Sequence, residues 1–72
     1  MGVILRTDTL LREVARRGWN LGDLARAAGI SGATVTAARS GRPVSPESVR
    51  RIAGALNATP PVVGVDRLLL GD

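Results

Sequence analysis

The sequence predicts an all-α chain of four to five short helices with short extended segments at its ends, and three observations carry that prediction. Helix starts appear three times in one form: an apolar residue, a capping residue, and a second apolar residue five positions beyond the first. Glycines, which accept a left-handed backbone at least steric cost, follow the stretches where helices should end. Between these signals, apolar side chains recur at the 3.6-residue spacing of a one-faced helix.

The first helix is expected from Asp8 to Arg17, with Leu10, Leu11 and Val14 on its stripe and Gly18 as its stop. Trp19-Asn20 with Leu24 opens the second, Leu21 to Ala28, where Asp23 stands at the capping-box position and Gly29 follows the last turn. Its apolar residues are Leu21, Leu24, Ala25 and Ala28. Ile30-Ser31 with Val35 opens the third, Gly32 to Arg39, which carries Val35 and Ala38 and is followed by Gly41. Val44-Ser45 with Val49 opens the fourth, Pro46 to Leu56, aided by Pro46 in the first helical position and Glu47 on the positive end of the helix dipole. Val49, Ile52, Ala53 and Leu56 form its stripe, and Asn57 is the expected stop. At the ends, Val3, Ile4 and Leu5 are expected to extend beside Val62 to Val65 and cover the core, the alternative being that either segment meets a second subunit, with Asp66 to Leu70 adding a last turn. With no repeat or linker, residues 1–72 read as one domain.

Composition narrows the chemistry. A chain of 72 residues buries only about 60% of its unfolded surface, so the core must be compact and local. Without cysteine or histidine there is no disulfide frame, no thiolate or imidazole metal site and no common general base, so neither an enzyme nor a metal or cofactor protein is expected. The net charge is +4 and all ten basic residues are arginine, whose planar fork suits phosphate and guanine, so an acidic polymer is the natural partner. No run approaches the roughly 18 apolar residues of a membrane span, and Met1 to Leu5 lacks the flanks of a signal peptide, so a cytoplasmic location is expected.

The segment Leu21 to Ser40 is the most informative. Two helices crossing over a short turn need a small residue where the backbones meet, which Ala25 supplies, and a positive-φ residue at the corner, which Gly29 supplies. Val35 fits the wedge that fixes the crossing angle. An Arg17-Gly-Trp-Asn20 approach precedes the pair, and Arg39-Ser-Gly-Arg-Pro-Val-Ser-Pro-Glu47 follows it. From Leu10 to Leu56 this pattern resembles the Cro and phage-repressor class of helix-turn-helix proteins, also called the xenobiotic-response-element family.

That resemblance implies a lambda-repressor-like fold and double-stranded DNA as partner, with the third helix in the major groove. The base-reading positions would be Gly32, Ala33, Thr36 and Ala37, joined by Arg39. The family often carries longer polar side chains there, whereas these residues offer chiefly methyl groups that can touch thymine, so specificity must lean on Arg39 and on DNA shape. Phosphate contacts would come from Asn20, Ser31, Thr34, Ser40, Arg42 and Ser45. Arg17 and Arg26 are further candidates for phosphate, each weighed against a solvated helix face, and Arg50 and Arg51 read as solvated surface. Trp19, the sole aromatic residue, reads as core rather than as a base-stacking platform. The expected function is a bacterial or phage transcription regulator, a repressor binding its operator as a homodimer. The alternative is a protein-interaction module that kept the fold, such as a partner subunit of a toxin-antitoxin or mobile-element system, and the bare third helix favours it.

Overall fold

The computed structural model describes residues 2–68. Four α-helices follow one another, α1 (Thr7–Arg16), α2 (Leu21–Ala28), α3 (Gly32–Arg39) and α4 (Pro46–Ala58), and a single 3-10 turn, Val65–Leu68, comes after them. The second and third helices have the bounds their caps predict, while α1 begins at Thr7 and ends at Arg16, and α4 runs two residues past Leu56.

Each expected start is made by its expected residue. Asn20 accepts from the Asp23 amide while the Asp23 carboxylate accepts from the Asn20 amide, closing the capping box. Ser31 and Ser45 accept from the amides of Thr34 and Ser48. Substituting such a cap with alanine costs about 1 kcal/mol, so these three residues together hold the short helices in place. Three helices also end alike. The Trp19 amide donates to Val14 O, Ile30 to Ala25 O and Arg42 to Ala37 O, each one residue past a glycine with φ between 67° and 76°. This is the Schellman arrangement, in which the left-handed residue turns the chain back so that orphan carbonyls are satisfied.

The fourth helix ends differently. Asn57 lies inside α4 rather than stopping it, and the capping position is Thr59 in extended backbone. The carbonyls there are satisfied from a distance by the Arg17 guanidinium, which donates to Leu56 O at 2.9 Å and to Thr59 O at 2.6 Å. Arg17 also donates to Glu13 through both the backbone carbonyl and the carboxylate, and its side chain is only 7% exposed. It is therefore not part of a solvated face, and its guanidinium is turned inward onto four protein acceptors rather than presented to a phosphate.

The core gathers Leu10 and Val14 from α1, Leu24 and Ala28 from α2, Val35 and Ala38 from α3, Ile52 and Ala55 from α4, and Val44 from the loop. Leu24 and Ala38 have no exposed surface, which places the α2–α3 crossing at its centre. Trp19, Leu21, Ala25, Ile30 and Val49 pack around it half-buried, in keeping with Trp19 as core. Leu11 and Ala53 depart from expectation: both are exposed, since each sits about 100° round its helix from a buried neighbour, Leu10 or Ile52. Ala53 lines a shallow apolar groove between α1 and α4, with Leu5, Thr9, Val49 and Leu56.

The extended ends also pair otherwise than expected. Val3 bridges antiparallel to Val44 rather than to residues 62–65, with Val3 N to Val44 O at 2.7 Å and Val44 N to Val3 O at 2.9 Å. Val44 is the better partner because its side chain already enters the core, leaving its backbone in need of hydrogen bonds. Val62 instead donates to Arg16 O at the end of α1. The final turn begins at Val65, one residue earlier than expected, and the expected turn residues Leu69 and Leu70 lie outside the described residues.

Candidate nucleic-acid interface

The α2–α3 crossing buries one side of α3 and frees the other. Val35 and Ala38 face the core, whereas Gly32, Ala33, Thr36 and Arg39 are exposed and Ala37 is half-buried. Thr34 is drawn back against its own helix, its hydroxyl 2.9 Å from that of Ser31. Ala33 and Ala37 border a cleft whose other wall is Pro43, Ser45 and Ser48, and Thr36 borders a second one against Gly22 and Ala25. The helix therefore stands as a narrow ridge between two hollows, and nothing lies within 4 Å of where a Gly32 side chain would begin.

Around this ridge the predicted phosphate ligands fall into two kinds. Asn20, Ser31 and Ser45 are exposed residues at the starts of α2, α3 and α4, where helix dipoles favour an anion. Their side-chain oxygens already accept from helix amides, so any anion there would use what those caps leave over. Ser40 and Arg42 belong to the loop after α3, and both are exposed. The Arg42 amide closes the Schellman turn around Gly41, which holds this part of the loop against α3.

Charge sorts itself unevenly over the molecule. Glu13 is matched by Arg16 and Arg17, Asp23 by Arg26, and Glu47 by Arg50 and Arg51. The Arg17 hydrogen bond, helped by the Arg16 charge, holds the Glu13 carboxyl below its ordinary pKa, and hydrogen bonds from Arg50 and Arg51 do the same for Glu47. No carboxylate occurs between Asp23 and Glu47, the stretch that contains all of α3 and its flanking loop. Arg39 and Arg42 lie in that acid-free stretch, and neither guanidinium has an ion pair or hydrogen bond among the described residues. Arg26, Arg50 and Arg51 are exposed but engaged with carboxylates on their own helices. Among the described residues no three His, Cys, Asp or Glu side chains gather as a metal site, and no helix is long and apolar enough to cross a membrane.

Two helices crossed over a glycine corner, with the second one exposed along its outer edge and followed by arginines that have no ion pair among the described residues, define a helix-turn-helix DNA-binding protein. The Helix-turn-helix family model of Cro/C1 type matches residues 10–63, and the chain belongs to that family. No curated protein and no solved structure matches the chain. It is thus a DNA-binding regulator by family, with the all-α fold the sequence predicts.

Two features escape sequence reading. Arg17 looks like any other arginine at a helix end, and only its distance from Leu56 and Thr59 in space reveals its task. The pairing of Val3 with Val44 likewise has no periodic or motif signal.

Proposed function

We propose that the protein is a sequence-specific transcription repressor that binds double-stranded operator DNA as a homodimer, with α3 of each copy in the major groove. The observation that carries the reading is the acid-free stretch that contains α3 and the loop after it, in which the Arg39 and Arg42 guanidinium groups have no partner among the described residues. A guanidinium of that kind pays no cost for leaving a carboxylate when it meets a phosphate or a guanine edge.

The roles divide by position. Arg39, at the last turn of α3, reads a guanine, while Gly32, Ala33, Thr36 and Ala37 admit the groove floor closely and sense thymine methyls. Arg42 and Ser40 hold phosphate beyond α3, and Asn20, Ser31, Thr34 and Ser45 hold it at the helix starts. Small reading residues leave a large share of the specificity to sequence-dependent DNA shape. The homodimer would place two α3 helices about 34 Å apart on one face of the duplex, and the cytoplasm is where such a protein would act.

The bare α3 ridge is also what supports the second reading, a partner-binding module with the same fold. Fluorescence anisotropy of the purified protein on random duplex and on its own upstream promoter, over a salt series, separates the two. A steep salt dependence, a preference for the promoter, and loss of that preference in Arg39→Ala with a uniform weakening in Arg42→Ala are expected. Failure to bind either duplex at low salt would favour the partner module.

A further inference from the structure

The loop that carries Arg42 is six residues long, 40–45, and must pass from the end of α3 to the start of α4. Its first half is fixed by the Schellman turn, in which the Arg42 amide reaches Ala37 O at 2.9 Å. Its second half is anchored by the buried Val44 side chain and by Ser45, which caps α4, while Pro43 between the two anchored halves has no N–H to give. The backbone of Val44 is satisfied at both its amide and its carbonyl by one residue, Val3, which lies 41 positions earlier in the chain.

Gly2, next to that bridge, lies flat against the proline. A Cβ added to Gly2 would overlap Pro43 Cβ and lie 3.5 Å from Pro43 Cα. Neither atom belongs to a flexible side-chain end, so the methyl of an alanine cannot be accommodated without moving either the arm or the proline. Pro43 is bonded directly to Arg42, and movement of its ring passes to that residue, whose guanidinium has no partner among the described residues.

We propose that the Gly2–Val3 arm is a positioning element for DNA binding, which fixes the 40–45 loop through the Val44 bridge and the Gly2–Pro43 contact so that Arg42 faces phosphate. This rests on the DNA-binding reading given above and adds to it that residues remote from the helix-turn-helix pair set the aim of the clamp. The arm acts through Arg42 and itself needs no contact with the nucleic acid.

The test is a double-mutant cycle on a promoter duplex, with Gly2→Ala, Arg42→Ala, and the two combined, and with the exposed α4 change Gly54→Ala as control. Removing one phosphate contact lowers the log–log salt slope by about one unit. Gly2→Ala is expected to reduce affinity several-fold and to lower the slope as Arg42→Ala does, and the double variant is expected to lose little beyond Arg42→Ala alone. Thermal unfolding and hydrogen exchange at the Val44 amide accompany the cycle: faster Val44 exchange with a nearly unchanged melting temperature is expected for Gly2→Ala. Val3→Pro, which removes one of the two bridge hydrogen bonds, should act in the same direction. Additive losses in the cycle, or wild-type affinity in Gly2→Ala, would overturn the arm's role while leaving DNA binding intact. Failure of the wild-type chain to bind any duplex would overturn the DNA-binding reading and the clamp together, and Val44 exchange would still report whether the arm holds the loop.

Discussion

Replacing Arg17 by alanine tests the long-range cap of α4. The substitution strips the hydrogen bonds to Leu56 O and Thr59 O and leaves Glu13 with Arg16 as its remaining partner. Hydrogen bonds from a charged donor contribute about 1.5–3 kcal/mol each, and carbonyls at a helix end recover part of that from water. Counting the two carbonyl acceptors at the low end gives a loss of about 3 kcal/mol, a large share of the roughly 4–10 kcal/mol expected for a chain of this length. With a urea slope of about 1 kcal/mol/M, the unfolding midpoint followed by helical circular dichroism should fall by about 3 M. DNA affinity per folded molecule should stay at the wild-type value. A variant with an unchanged midpoint and a reduced salt slope would refute the reasoning, because Arg17 would then be facing phosphate and α4 would be ending without it. Arg17→Lys should regain only part of the loss, since an ammonium cannot span Leu56 O, Thr59 O and Glu13 as the planar fork does.

The same cluster predicts a response to acid. Glu13 has a lowered pKa in the folded chain, so its stabilising contribution is complete above the ordinary glutamate range and is lost as the pH falls through the depressed value. Melting temperatures of wild type and Glu13→Gln should therefore differ at neutral pH and converge on acidification, and a constant gap would count against the pair. Gly54→Ala, on an exposed turn of α4 with nothing within 4 Å of the new methyl, should stabilise by about 0.5–1 kcal/mol in urea without altering DNA binding. Gly32→Ala is equally open sterically, so it should leave the fold intact yet change affinity or base preference, and identical binding curves would remove Gly32 from the reading surface. Leu24→Ala, at the fully buried centre, should cost about 3 kcal/mol or more by thermal unfolding, and a much smaller cost would mean that the α2–α3 crossing collapses readily around the cavity.

What the sequence made legible is what acts within one turn of helix. The bounds of α2 and α3 follow from Asn20, Asp23 and Ser31 at their starts and from Gly29 and the Ser40–Gly41 turn at their ends, all reaching backbone only a few residues away. Local grammar fails where the partner is remote. Asn57 has the residue type of a stop but is overruled by Arg17, which lies 39 positions from Leu56 and is brought there by the packing of α1 on the core. Val3 finds Val44 for the same reason, since an extended residue pairs wherever a buried backbone needs it. The surface around α3 was legible as residue types, small, hydroxylic and cationic, whereas the freedom of Arg39 and Arg42 came only with knowing where the carboxylates and their partners fall.

The division of labour within α3 bears on how such a protein could change its target. Val35 and Ala38 carry the packing, while Gly32, Ala33 and Thr36 spend nothing on the fold and border open space or shallow clefts. Longer side chains at those outward positions would meet solvent rather than the core, so a glutamine or arginine installed there should be tolerated at little cost in stability. In the proposed mode of binding, recognition could therefore drift from one operator to another by single substitutions, with the scaffold indifferent to which word is being read.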